Sequence, residues 1–118
     1  MRAYQVTDHD QAAALADLPR PSPGPGEVLV RIRACGLNFA DLLMQNGTYQ
    51  ETPPLPFTLG MEVAGEVVET GAEVTRFASG DRVAVFGGQG GLAEFGVFDA
   101  ARAVKLPEGM DAVAAAAF

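Results

Sequence analysis

The chain has 118 residues, 48% of them hydrophobic and 19% charged, and a formal net charge of −7. That length holds one domain with one hydrophobic core, and the composition is that of a globular rather than a disordered protein. An acidic surface repels phosphate backbones, which argues against nucleic acid as a partner, and no apolar run approaches the ~20 residues of a membrane span or resembles a signal peptide.

Met1–Thr7 reads as an opening strand and Asp8–Gln11 as a polar turn. The prolines and glycines between Pro19 and Gly26 enforce an extended loop. Val28, Val30, Ile32 and Ala34 then alternate with Leu29, Arg31 and Arg33, the period of a half-buried strand. After Gly36 the period changes: Phe39, Leu42, Leu43 and Asn46 fall on one face of a short helix that Gly47 closes. A loop follows with Pro53, Pro54 and Pro56. Val63–Thr70, Arg82–Phe86, Leu92–Phe98 and Ala103–Leu106 read as further strands, separated by Gly71, Gly80-Asp81 and Gly87–Gly91. Short strands at this spacing with glycine turns indicate a barrel or sandwich. Asp111 caps a final alanine-rich helix, and the sequence ends inside that pattern, which implies that the natural chain continues.

Metal chemistry has little to stand on. Zinc sites gather Cys, His and carboxylate ligands, and here one cysteine, Cys35, and one histidine, His9, lie far apart along the chain. The lone cysteine forms no internal disulfide, consistent with a cytoplasmic location, and is read as a small buried hydrophobe. His9 sits in a polar turn and is no base for a nucleophile. Gly88-Gln89-Gly90-Gly91-Leu92-Ala93 fits the dinucleotide fingerprint in letters, but no helical pattern follows to receive a pyrophosphate, so it reads as a hairpin loop. Asn38, Asp41, Tyr49 and Glu62 lie beside turns and loops, where a β scaffold often builds a site. On spacing alone they are accounted for more simply as a helix cap, a first-turn acid and loop packing.

Several stretches change that balance. Ala34-Cys35-Gly36-Leu37-Asn38-Phe39-Ala40-Asp41-Leu42, Pro53-Pro54-Leu55-Pro56-Phe57 and Gly60-Met61-Glu62-Val63-Ala64-Gly65-Glu66-Val67 are followed by Gly80-Asp81-Arg82-Val83 and Leu106-Pro107-Glu108-Gly109-Met110. In these, and in their order, the chain resembles the medium-chain dehydrogenase/reductase superfamily. The nearest resemblance is to its zinc-free branch of quinone oxidoreductases and VAT-1-like reductases. Zinc alcohol dehydrogenases carry Cys at the place of Asn38, His at that of Met61 and a proton-relay hydroxyl at that of Ala40.

The resemblance implies a mainly β, GroES-like, partly open β-barrel with short helices, truncated before a Rossmann domain. Residues 1–110 would be the catalytic domain, and residues 111–118 the start of the helix leading into the absent domain. The whole enzyme would use NADPH or NADH without zinc to pass hydride to quinones or α,β-unsaturated carbonyls, and would dimerise. Asn38 and Tyr49 are the implied catalytic residues, with Asn38 also touching the cofactor. Asp41, Tyr49 and Glu62 are assigned to the substrate pocket. Leu43 stands where some quinone reductases have a second pocket tyrosine, a departure that speaks against simple aromatic quinones and leaves enones or other activated alkenes open. An enoyl reductase of the same superfamily and a non-enzymatic GroES-like binding module are the alternatives, and the isolated fragment is expected to be inactive.

Overall fold

The structure, a computed structural model, describes residues 1–116. In chain order the elements are β1 (Arg2–Val6), β2 (Ala14–Asp17), β3 (Glu27–Gly36), α1 (Phe39–Asn46), β4 (Phe57–Thr58), β5 (Glu62–Thr70), β6 (Arg82–Phe86), β7 (Phe95–Asp99), a 3-10 turn at Ala100–Arg102, β8 (Ala103–Lys105) and α2 (Ala112–Ala116). The architecture is mainly β. A five-stranded sheet runs β7-β3-β5-β6-β8 and a three-stranded sheet runs β2-β1-β4. Every pairing is antiparallel, and both sheets stay open rather than closing into a barrel.

β3 holds the larger sheet together because it is paired on both sides, to β5 and β7. Its inward residues Val28 and Val30 meet Val63, Val67, Val83, Val85 and Phe98 in the main core. Each valine fully withdrawn from water in this way stabilises the fold by roughly 1.5–3 kcal/mol. Leu29, expected on the outer face with Arg31 and Arg33, is also fully buried. On that outer face the segment before β3 returns across the sheet, with the Arg20 guanidinium 4.5 Å from the Phe95 ring centre.

Three local differences from the sequence reading have tertiary causes. β2 and β4 carry little periodicity of their own and exist as partners of β1. The expected strand Leu92–Phe98 begins only at Phe95, because Leu92 is engaged elsewhere. Its N–H donates to the Leu59 carbonyl at 2.8 Å, and its carbonyl accepts from Tyr4 N–H at 2.8 Å. The helix over Phe39–Asn46 forms as expected, but it buries Asp41 and Met44, while Phe39 and Leu42 are 74% and 57% exposed.

α2 begins where Asp111 Oδ1 accepts the Val113 N–H at 3.1 Å, as a helix cap does. Its small residues Ala115 and Ala116 pack on Ala64 of β5. Ala117 and Phe118, the end of the expected helix, lie outside the described residues. Among the described residues no helix is long and apolar enough to cross a membrane.

Candidate active site

Helix α1 is stopped sharply at both ends, and this sets where its neighbours can stand. Asn38 takes the N-cap position with extended backbone, φ −127° and ψ 150°. At the other end Gly47 adopts φ 76°, a left-handed conformation that glycine reaches without steric cost. The Gly47 and Thr48 N–H groups then donate to the Met44 and Leu43 carbonyls at 3.1 and 2.9 Å. The Gln45 carbonyl lies 3.0 Å from Nδ1 of His9, so the lone histidine serves the C-terminal end of this helix.

Asp41 is buried, and both of its carboxylate oxygens are used. Oδ2 accepts from the Asn38 backbone N–H at 3.0 Å and Oδ1 from the Gly60 N–H at 3.1 Å. One carboxylate thus joins the start of α1 to the residues that lead into β5. Glu62 opens that strand, and its Oε1 accepts from Asn38 Nδ2 at 3.3 Å. A carboxylate only accepts, so the amide must turn its NH2 group toward Glu62. Gly36, paired with Glu62 across β3 and β5, leaves the space in which this carboxylate sits.

Successive side chains in an extended segment point to opposite sides. Met61 lines one cleft, of about 480 Å³, together with Tyr49, Phe86, Gln89 and Arg102. Asn38 and Asp41 line another, of about 590 Å³, with Tyr4, Leu37, Phe39 and Leu92. Of the four polar residues singled out in the sequence, the structure brings together Asn38, Asp41 and Glu62. Tyr49 stands apart from them in the Met61 cleft.

The glycine-rich segment is not a phosphate cradle. Gly87 and Gly88 N–H donate to the Met61 carbonyl at 2.8 and 3.2 Å. Gly90, Gly91 and Leu92 donate to Thr58, Gly60 and Leu59 at 2.9, 2.9 and 2.8 Å. These donors are spent on the neighbouring chain, and no helix follows. A side chain on Gly91 would stand 2.7 Å from Val63 Cγ1 and 2.8 Å from Cys35 Sγ, which is why glycine occupies this crossing.

Cys35 packs at the edge of the main core. Burial, then the charges of Asp41 and Glu62, push its thiol from the ordinary 9.0 up to about 11. The thiol therefore keeps its proton at neutral pH more firmly than an ordinary cysteine does. Among the described residues no three His, Cys, Asp or Glu side chains converge into a group that could hold a metal.

Sequence reasoning missed Gly60 as the partner of Asp41, and Gln89 and Arg102 as walls of the Tyr49 cleft. Gly60 stood within a quoted motif but showed no sign of its partner. Arg102 follows β7 in the 3-10 turn, where no periodicity marks it.

Residues 24–108 match the family described as the alcohol dehydrogenase GroES-like domain. The chain is 48% identical over 97 residues to the synaptic vesicle membrane protein VAT-1 homolog of Rattus norvegicus, covering 82% of this chain and 24% of that protein. It is 44% identical over 108 residues to quinone oxidoreductase-like protein 2 of Mus musculus, covering 91% of this chain and 31% of that protein. The chain thus spans between about a quarter and a third of the length of these curated relatives. Among solved structures, the quinone oxidoreductase of Thermus thermophilus, described with its NADPH complex, superposes with a TM-score of 0.85 at 41% identity. That superposition covers 100% of this chain and 36% of the other.

Proposed function

The chain belongs to the alcohol dehydrogenase GroES-like domain family, among relatives in the quinone oxidoreductase branch of the medium-chain dehydrogenases/reductases, and from that premise we propose that residues 1–110 are the catalytic domain of a zinc-independent NAD(P)H-dependent reductase of quinones or α,β-unsaturated carbonyls. Residues 111–118 lead, in this reading, into the domain that carries most of the dinucleotide. The observation that carries the proposal is the Asn38–Glu62 contact, an amide donor oriented by a carboxylate at the mouth of a cleft.

The residues present fit one end of a dinucleotide and not the other. The cleft at Asn38 is apolar on the sides of Leu37, Phe39 and Leu92, which suits a flat nicotinamide ring beside an amide donor. The pyrophosphate end has no support here, because the glycine loop's N–H groups are already bonded. Bound there, a reduced nicotinamide would supply hydride to the substrate.

This chain's own residues then manage the charge and the geometry. Glu62 holds one N–H of the Asn38 amide, so the other points in a defined direction and orients the cofactor ring. As hydride arrives, negative charge grows on the substrate oxygen. In this reading the substrate lies between the ring and the Tyr49 hydroxyl of the Met61 cleft, and that hydroxyl is the donor that stabilises the charge. The final proton comes from water, so no dedicated acid is required.

The test is turnover by the full-length protein, followed as loss of reduced nicotinamide absorbance with a panel of quinones and enones. The reading expects oxidation with at least one of them and a clear loss in Tyr49→Phe. Unchanged turnover by Tyr49→Phe across the panel removes the tyrosine from the mechanism, and no turnover with any acceptor removes the reductase reading.

A further inference from the structure

The Tyr49 cleft contains a cation that the proposed chemistry does not use. Arg102 lines the same space of about 480 Å³ as Tyr49, Met61 and Gln89. It is carried there by the 3-10 turn after β7, which Asp99 fixes by accepting the Ala101 N–H at 2.9 Å. Arg102 is exposed, and its Nη1 makes one long contact, to the Phe86 carbonyl at 3.3 Å, at the rim of the cleft. Among the described residues it makes no ion pair, so most of its N–H donors are free for a ligand. The cation is conspicuous in a chain of net charge −7.

The other donors nearby are spent. Gly87 and Gly88 N–H both bond the Met61 carbonyl, which leaves Arg102 and the Gln89 amide, beside the Tyr49 hydroxyl, to meet a polar group in the cleft. Glu51 also lines this space and stands unpaired with Arg102. Because Glu51 shares the lining, an anion held there with a single negative charge meets less repulsion than one with two, such as a phosphate monoester.

We infer that Arg102 is a specificity residue, and that the substrate is an enone or quinone bearing a carboxylate at the end remote from the reduced bond. The inference rests on the reductase reading. A planar carboxylate matches the guanidinium fork, and Gln89 can add one N–H. The reacting oxygen then lies toward Tyr49 while the charged end is held by the loop wall.

The experiment uses the full-length protein and two probes, an open-chain methyl enone with a terminal carboxylate and the methyl ester of the same compound. Wild type, Arg102→Met and Arg102→Lys are compared by kcat/KM for each probe, with KM for NADPH as a control and near-ultraviolet circular dichroism as a check of folding. The expected result is a preference of wild type for the acid that falls about tenfold or more relative to the ester in Arg102→Met, with partial recovery in Arg102→Lys. A loss shared equally by acid and ester, no preference in wild type, or an effect confined to KM for NADPH overturns the inference and leaves the reductase reading standing. No turnover of either probe or of any acceptor in the wider panel overturns both.

Discussion

The Asp41 carboxylate accepts the Gly60 N–H at 3.1 Å, and in doing so ties the first turn of α1 to the segment that opens β5. Its other oxygen holds the Asn38 N–H at 3.0 Å. Since Asp41 is only 6% exposed, its removal would leave the Gly60 N–H buried and unpaired and the Asn38 N–H half-buried without its partner. Asn38 and Glu62 meet because this one side chain sets the distance between their backbones.

Asp41→Ala is therefore expected to cost about 2–3 kcal/mol of stability, from one buried donor and one half-buried donor left unpaired plus a small cavity. Asp41→Asn should fall between, because an amide keeps one acceptor and sets its NH2 group against a backbone N–H. Urea unfolding of the full-length protein and both variants checks this. A change below about 0.5 kcal/mol in the alanine variant would show that the two donors find other partners.

Gly36→Ala probes the same site from the sheet. A Cβ there would stand 2.7 Å from the Ala116 carbonyl oxygen and would also collide with the Glu62 carboxylate. Overpacking of this kind costs typically ~1–3 kcal/mol. It should lower both stability and, if Glu62 orients Asn38, the affinity for dinucleotide. Loss of stability with unchanged dinucleotide affinity would separate Glu62 from the cofactor.

The two clefts predict different kinetic signatures for their polar residues. Asn38→Ala should act mainly on KM for the dinucleotide, with about 1 kcal/mol of stability lost with its hydrogen bond to Glu62. Tyr49→Phe should act mainly on kcat, by about 10- to 100-fold, somewhat less than a buried oxyanion donor because its cleft is open. Equal effects of both substitutions on the same parameter would mean that the clefts do not divide the work.

Cys35 supplies a prediction in pH. Its thiol titrates near 11 in the folded chain and near 9.0 when unperturbed, with burial as the main cause. Because the folded state favours the neutral thiol, the stabilisation is fully present below the unperturbed value and is lost as pH rises from 9.0 toward 11. At pH 8 the thiolate fraction should be ~100-fold below that of a free cysteine. Iodoacetamide should accordingly label native protein far more slowly than urea-unfolded protein, and Cys35→Ala should lose part of the decline in stability above pH 9. Labelling of native protein at the rate of a free thiol would contradict the burial.

Local rules carried the sequence reading as far as elements and ends. The period of two around Val28–Ala34, the helix between Asn38 and Gly47 and the cap at Asp111 all depend on residues within a few positions of one another. The same rules misjudged α1, whose Phe39 and Leu42 face outward, because periodicity shows that a helix has an apolar side and not which side meets the core. Asn38, Asp41 and Glu62, from two of the quoted motifs, are linked by hydrogen bonds in the structure.

What the sequence by itself determined was a mainly β chain with a capped short helix, a single cysteine and a single histidine, since these follow from residue type and short spacing. Only the tertiary structure decided that Asp41 reaches Gly60, that the glycine loop spends its N–H groups on Thr58–Met61, and that Arg102 stands in the cleft of Tyr49. Each of those contacts joins residues far apart in the chain. Sheet register and loop path fix such meetings, and a shift of one residue in register would turn every side chain to the opposite face.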